Sequence, residues 1–497
     1  MTITIVGLGP GNPGHLTREA WDVLSSATEI YVRTARHPTV AGLPASLVVH
    51  SFDDVYETVP DFGQVYAAIA ERVLGLGRRP EGVIYAVPGH PAVGEATVGL
   101  IRAQAASDGL PVRVVPGVSF VEPVLAALKV DALPGLQLAD ALDLAARHHP
   151  SFHPDAPALV AQLYSPVIAG DVKLTLMNQY PDDHLVALVH GVGTADEQVE
   201  WLPLFKIDRS PNVAHLTALY VPALPQPSAF ESLQDIVAHL RAPEGCPWDR
   251  EQTHQSLRAN LLEETYEVLE AIDADDANGM REEFGDLLLQ VVLQSQIALE
   301  AGEFTVAEVI AELRAKLIRR HPHVFGDVKV NSVGQVLENW EKLKAAERGG
   351  AAKADKGALG SLPAGLPALL QAATYQRRAA QVGFDWPDVT GVTAKVHEEI
   401  AEVEASVAPA EREDEMGDLL FAVVNWARRL DVDPESALRR SNAKFVRRFS
   451  LMEAAGRAQG RPLADMTLAE LDALWEASKN SEAVTGSKPT LPSSVTN

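Results

Sequence analysis

Two distant stretches of this chain, "LLEETYEVLEAI" and "KVHEEIAEVEASV", carry glutamates at the same spacing, and the segments after each of them repeat as well. Glu263, Glu264 and Glu267 in the first correspond to Glu398, Glu399 and Glu402 in the second. Next come "REEFGDLLLQVVLQ" and "EDEMGDLLFAVVNWA", which pair Glu283 and Asp286 with Glu415 and Asp418. "LRAKLIRRHPHVFG" and "NAKFVRRF" then match Lys316 and Arg320 to Lys444 and Arg448. Finally, "NWEKLK" and "LDALWEASK" set Trp340 and Lys344 against Trp475 and Lys479. A solvated helix face has no reason to keep four polar pairs in order while the intervening residues drift. The chain therefore holds two copies of one domain, too few for a solenoid.

Both copies are predicted to be helical. Leu261, Leu262, Val268, Leu269 and Ile272 form an apolar stripe with the glutamates to one side. Like charges three or four residues apart on a helix repel by a few tenths of a kcal/mol. The crowding becomes favourable if the acids hold a cation. Carboxylates from two neighbouring helices offer hard oxygen ligands suited to Mg²⁺, with Mn²⁺ as the alternative. No His or Cys recurs with them, which argues against zinc. Lys316, Arg320 and Lys344, with Lys444, Arg448 and Lys479, are the cations that would meet a polyphosphate from the other side. Trp340 and Trp475 are open between stacking on a base and sitting in a core. The set points to metal-assisted hydrolysis of a phosphoanhydride. Beyond Asp286 and Asp418 the helices are apolar on nearly every face, as a bundle interior or a subunit interface requires.

The first part of the chain reads differently. "TITIV" runs into "GLGPGNPGHLT" and a helix-like "REAWDVLSSA", and further strand-like runs precede "PGHPAVG" and "PGVS". Strand, Gly-rich turn and helix in alternation indicate an α/β domain ending near Pro225. No Gly-Lys-Ser/Thr follows the first turn, so it is not a Walker loop.

A net charge of −25 disfavours a nucleic acid backbone or an anionic membrane as partner. It leaves room for a small anion met by a local cluster of cations. The lone Cys246 rules out an internal disulfide and fits a reducing cytoplasm, and its loop position reads as a small buried residue before a reactive thiol. No signal peptide or membrane span is expected.

"VGLGPGNPGHLT", "YAVPGHPAVG" and "VVPGVS", in that order over about residues 1–225, resemble the tetrapyrrole methylase family. That resemblance implies two α/β lobes with S-adenosylmethionine between them and Pro10, Gly89, His90, Ser119 and Met177 in or near its loops. The chain departs from the pattern at His90, where many members carry aspartate, leaving His90 open between a catalytic role and a loop residue bonded to backbone. The acidic and basic pairs, together with "GCPWDREQT", "RRHPHVFG", "NWEKLK", "QVGFDW" and "EMGDLLFA", resemble the MazG family over about residues 228–480, in the YabN-type arrangement with a methylase-like region ahead. This implies Mg²⁺-dependent cleavage of a nucleoside triphosphate to monophosphate and diphosphate. Glu264, Glu267, Glu283 and Asp286 would hold metal in one copy, and Glu399, Glu402, Glu415 and Asp418 in the other. It also implies a homodimer through the apolar helices.

The expected fold is thus multidomain, with an α/β two-lobed methylase-like domain (1–225) followed by two all-α helical bundles (226–348 and 365–481), a linker (349–364) and a disordered polar tail (482–497). The leading expectation is an NTP pyrophosphohydrolase with a housekeeping role in the nucleotide pool. The alternative is a methyltransferase controlled by a non-catalytic nucleotide sensor.

Overall fold

A computed structural model describes residues 1–59, 61–336, 339–340, 343, 357–363 and 365–485. Lys344, most of the 349–364 linker and the end of the polar tail lie outside the described residues. The chain divides into two compact units, Met1–Cys246 and Pro247–Asn497.

The first unit contains two five-stranded sheets. Strands β1 (Ile3–Gly7), β2 (Glu29–Val32), β3 (Val48–Ser51), β4 (Val83–Val87) and β5 (Val112–Val115) pair in the order β3-β2-β4-β1-β5, all parallel. A central parallel strand buries both faces, so Ile3, Ile5 and Val6 are all fully buried although they point to opposite sides of the sheet. Ile3 and Ile5 pack with Ile69, Val73 and Ile101 on one side. Val6 packs with Leu24, Ile30 and Val115 on the other. Each such side chain contributes about 1.5–3 kcal/mol by burial. The crossover helices start where the sequence supplies caps. The Thr17 hydroxyl accepts from the Ala20 amide at 3.2 Å ahead of Arg18–Ser26. The Asp61 carboxylate accepts from the Gln64 amide at 2.9 Å ahead of Phe62–Gly77. Such a cap is worth about 1 kcal/mol.

Because β4, β1 and β5 are neighbours, their carboxyl-end loops meet, and those loops carry the three Gly-rich turns. Gly9 and Gly89 exchange backbone hydrogen bonds at 3.2 and 2.8 Å. A Cβ on Gly7 would lie 2.6 Å from the Gly117 nitrogen, and one on Gly117 would run into the Gly89 carbonyl oxygen. The glycines are thus needed for backbone-on-backbone contact between the loops.

The second sheet is mixed. Strands β6 (Gln137–Asp140), β7 (Ala158–Ala161), β8 (Leu185–His190), β9 (Gln198–Pro203) and β10 (Thr217–Val221) pair as β6-β7-β10-β8-β9, with only β6 and β7 parallel. The helix Phe230–Arg241 belongs to this unit. The Asp155 carboxylate holds its start, accepting from the Ser228 and Ala229 amides at 2.7 and 3.0 Å and from the Ser232 hydroxyl.

The second unit is helical wherever it is described as regular. Arg258–Asp273 and Ala277–Glu300 form a hairpin, turned by Asp275 at φ 55° and by the Asp276 carboxylate, which accepts from the Asn278 and Gly279 amides at 3.1 Å each. Val389–Ala405 and Pro409–Arg429 form its counterpart. Val306–Arg320 begins with a capping box between Thr305 and Glu308, and Thr467 and Glu470 make the same bonds ahead of Leu468–Thr485. Val292, Leu293 and Ile297 of the long first-copy helix are buried, but Phe284 is 52 % exposed and Val291 43 %. In the second copy Val424 is buried, with Leu420 54 % and Phe421 47 % exposed. Among the described residues, then, these helices cover only one of their two apolar faces.

Candidate functional site

Each helical hairpin sets acids from both of its helices against one another. Glu264, Glu267 and Glu283 each offer an oxygen within 4.8 Å of the others, and Glu399, Glu402 and Glu415 do the same. The i, i+3 step puts the first two acids of each group on one helix face, and the hairpin brings the third from its partner helix. Asp286 and Asp418 stand outside these groups of three. Asp286 still acts on the first group, because its charge helps hold the Glu264 carboxyl above the usual range, after partial desolvation and ahead of Glu267. Desolvation followed by Glu267 raises Glu283. Desolvation followed by Glu399 raises Glu402. The acids oppose one another's ionisation, which favours a cation among them.

The two copies differ in a charge beside the acids. Lys395 lies one helical turn before Glu398 and Glu399 and bonds both, at 2.9 and 2.7 Å. Those bonds hold the lysine well above its usual pKa. Glu399 is buried and its Oε2 has no partner. The same register position in the first copy is Asn260. Sequence reasoning passed over Lys395, although its i, i+3 and i, i+4 spacing to the glutamates was a readable signal.

The basic and aromatic pairs also recur in three dimensions. The Arg320 guanidinium lies 5.7 Å from the centre of the Trp340 ring, and Arg448 lies 5.7 Å from that of Trp475. Each tryptophan is half-buried, with one neighbour a cation and not a fully apolar core. Lys479 is 6.0 Å from the Trp475 ring and bonds Glu476 at 2.5 Å. Lys316 and Lys444 are exposed on their helices. Lys344 is outside the described residues. Cys246 is half-buried, and its amide donates to the Leu240 carbonyl at 2.8 Å.

In the first unit, Pro10, Gly89 and His90 line a cavity of ≈ 460 Å³. An adjoining cavity of ≈ 820 Å³ runs over Gly11, Asn12 and Thr194 and shares Arg36, His215, Leu216 and Thr217 with the first. At Gly89, φ is +64° and a Cβ would point into open space, so this loop presents bare backbone. His90 accepts from the Ala92 amide at 3.0 Å, which makes it a loop-bracing residue as well as a lining one. Ser119 is buried, donates to Glu122 at 2.5 Å and accepts from the Val121 amide at 3.0 Å. Met177 lines neither cavity. It caps the Pro166–Leu176 helix and is 39 % exposed, because that helix turns its other side to the core.

The same cavity contains residues that no motif marked. Arg33, at the end of β2, donates to Glu95 at 2.7 Å, and only 3 % of the Glu95 side chain is exposed. Burial pushes the Glu95 carboxyl up to about 7, with Arg33 working against the rise. Burial first, then the charges of Arg33 and His215, pushes His37 down to about 4. Arg33 Nε and His37 Nδ1 are buried without partners.

The family model described as "MazG nucleotide pyrophosphohydrolase domain" matches residues 252–325, and "Tetrapyrrole (Corrin/Porphyrin) Methylases" matches residues 2–208. A Bacillus subtilis relative, "Uncharacterized protein YabN", is 42 % identical over 97 % of this chain and 99 % of its own length. The Thermotoga maritima "Nucleoside triphosphate pyrophosphohydrolase/pyrophosphatase MazG" is 49 % identical over 51 % of this chain and 96 % of its own. The Escherichia coli K12 "Nucleoside triphosphate pyrophosphohydrolase" is 45 % identical over 51 % and 98 %. Among solved structures, a Thermus thermophilus uroporphyrin-III-C-methyltransferase is 24 % identical, covers 45 % of this chain and 94 % of its own, and has a TM-score of 0.36. By its identity to the Bacillus, Thermotoga and Escherichia relatives over nearly their whole length, the chain belongs to the MazG family, in the form that carries a tetrapyrrole methylase domain ahead of the helical part.

Proposed function

We propose that the chain is a Mg²⁺-dependent nucleoside triphosphate pyrophosphohydrolase, with Mn²⁺ as the substitute ion, that releases monophosphate and diphosphate in nucleotide-pool housekeeping. The observation that carries this is the duplicated carboxylate triad, with the buried, unpartnered Glu399 oxygen in one copy. That oxygen and the mutual repulsion of the acids suit a hard divalent cation. Glu264, Glu267 and Glu283 would hold it in the first copy, with Asp286 beside them. Glu399, Glu402 and Glu415 would do so in the second, with Asp418. When bound, the ion supplies charge neutralisation to a polyphosphate and acidifies water. Glu267 and Glu402, the solvent-facing member of each triad, are the residues suited to accept a proton from attacking water. Lys316 and Arg320, with Lys444 and Arg448, would neutralise phosphate oxygens, and Trp340 and Trp475 would bound the base. The uncovered apolar faces support a homodimer through the helical hairpins. The proposed division remains a methylase-like part, two MazG copies and the segments between and after them.

In the first unit we read the bare backbone at Gly89 and the adjoining cavities as a seat for S-adenosylmethionine, against Pro10, Gly89 and His90, with Ser119 bracing the loop just before the lining Phe120. Bound there, it would supply an electrophilic methyl group. The chain's own part is to present backbone groups and exclude water. The sensor alternative gains nothing from the structure, since both triads keep their full set of acids.

The test is diphosphate release from a panel of NTPs with Mg²⁺, comparing wild type, Glu267→Gln, Glu402→Gln and the double variant. The double variant is expected to lose at least a hundred-fold. Wild-type rates in all three would overturn the assignment.

A further inference from the structure

The two helical copies match at their acids and cations, yet they differ at the residues through which they touch. The second copy's basic helix, Pro434–Ala458, meets the first copy's acid helix, Arg258–Asp273, at two places. The Arg439 guanidinium lies 5.3 Å from the centre of the Tyr266 ring, and Arg440 pairs with Asp273 at 3.5 Å. Tyr266 and Asp273 are seven residues apart, on one face of their helix, and Tyr266 is next to Glu267. None of the four has its like in the other copy. In the register that matches the acids, Tyr266 corresponds to Ala401, and the helix Val389–Ala405 stops before a position for Asp273. In the register that matches Lys316 to Lys444, Arg439 and Arg440 correspond to Ala311 and Glu312. The contact therefore runs one way, since the reverse pairing offers neither the cations nor the ring. Arg440 also stands four residues before Lys444 and eight before Arg448, so the contact and those cations share a face of one helix.

We propose that this contact links the two acid sites, with the second copy's basic helix regulating the affinity of the first copy for its divalent ion. Two guanidinium charges held against the acid helix oppose a cation at Glu264, Glu267 and Glu283. Coupling between sites is reciprocal, so an ion at the first copy weakens the hold of Arg439 and Arg440. That loosens the helix on which Lys444 and Arg448 are carried. Two unit charges acting on a divalent ion through solvent from roughly 10 Å change its affinity about three-fold at ~0.1 M salt. The inference rests on the reading of the triads as metal sites and is independent of which nucleotide is cleaved.

The experiment is Mn²⁺ titration of the full chain without nucleotide, with the free ion read from its electron paramagnetic resonance signal. Glu402→Gln leaves the first copy's site to be measured, and Glu267→Gln leaves the second's. In the Glu402→Gln protein, adding Arg439→Gln and Arg440→Gln should tighten Mn²⁺ binding about three-fold, although both arginines belong to the other copy. In the Glu267→Gln protein the same pair should change the affinity by less. Arg439→Lys with Arg440→Lys keeps the charges and should leave the first site near its starting affinity. Thermal unfolding checks that each variant is folded. Hydrogen–deuterium exchange supplies a second readout, since Mn²⁺ added to the Glu402→Gln protein should speed exchange over residues 434–448. An unchanged first-site affinity, an equal or larger change at the second site, or unaltered exchange would each overturn the inference and leave the hydrolase reading standing. Mn²⁺ binding that neither glutamate variant weakens would overturn that reading and the inference with it.

Discussion

Replacing Lys395 by methionine isolates a charge that separates the two acidic triads. Methionine keeps most of the side-chain length and removes the ammonium. In the protein without metal, Lys395 is the cation that compensates Glu399, 2.7 Å away and 5 % exposed in its side chain. Removing one partner of a fully buried pair costs about 3–5 kcal/mol. Lys395 itself is 36 % exposed, so solvent screens part of the attraction and about 1–3 kcal/mol is the reasonable scale. For a unit of this size, each kcal/mol lowers Tm by roughly 2–4 °C. Added Mg²⁺ should then stabilise Lys395→Met more than wild type, because the ion restores the missing charge and binding adds stability by mass action. The assay is far-UV circular dichroism melting at neutral pH, in EDTA and in Mg²⁺, for both proteins. In acid, where carboxylates are protonated, the difference should vanish. A variant that melts with wild type in EDTA, or gains no more from Mg²⁺, would refute the view that the lysine stands in for a metal ion.

Three further outcomes are expected. Asp385, held well below the usual carboxylate range mainly by its bond from Arg428, should cost the second bundle about 1–3 kcal/mol when changed to asparagine. Because its folded pKa is depressed, that contribution is present above about pH 4 and lost as pH falls through the lower folded value, so the wild-type and Asp385→Asn acid-unfolding curves should converge there. Gly117→Ala puts a methyl onto the Gly89 carbonyl and should destabilise the first unit by about 1–3 kcal/mol and weaken S-adenosylhomocysteine binding, measured by melting and calorimetry. Since Glu264, Glu283 and Glu402 titrate above ordinary glutamates, protons compete with metal at higher pH than usual, and the Mg²⁺ concentration for half-maximal diphosphate release, measured at a series of pH values, should rise on acidification.

The helical repeat was legible because its information is local. Glu264 and Glu267 are one turn apart, and a hairpin needs only the Asp276 turn to bring Glu283 beside them. The α/β character of the first part was legible for a similar reason, since a strand, a glycine turn and a helix follow one another along the chain. The Arg33–Glu95 pair was not, because it joins the end of β2 to the loop after β4 and exists only once those strands are neighbours. The affiliation of Phe230–Arg241 was hidden likewise, resting on Asp155 far earlier in the chain. Periodicity identified the apolar faces around Phe284 and Leu420 but carries no information about what covers them.

The seam where Gly7, Gly89 and Gly117 touch restricts how relatives of this chain can be recombined. A loop transplanted alone from a cousin would arrive with its own backbone path and meet two foreign neighbours at van der Waals distance. The three turns are therefore a single heritable block, and chimeras should tolerate crossovers in the helices between them only when all three loops come from the same parent.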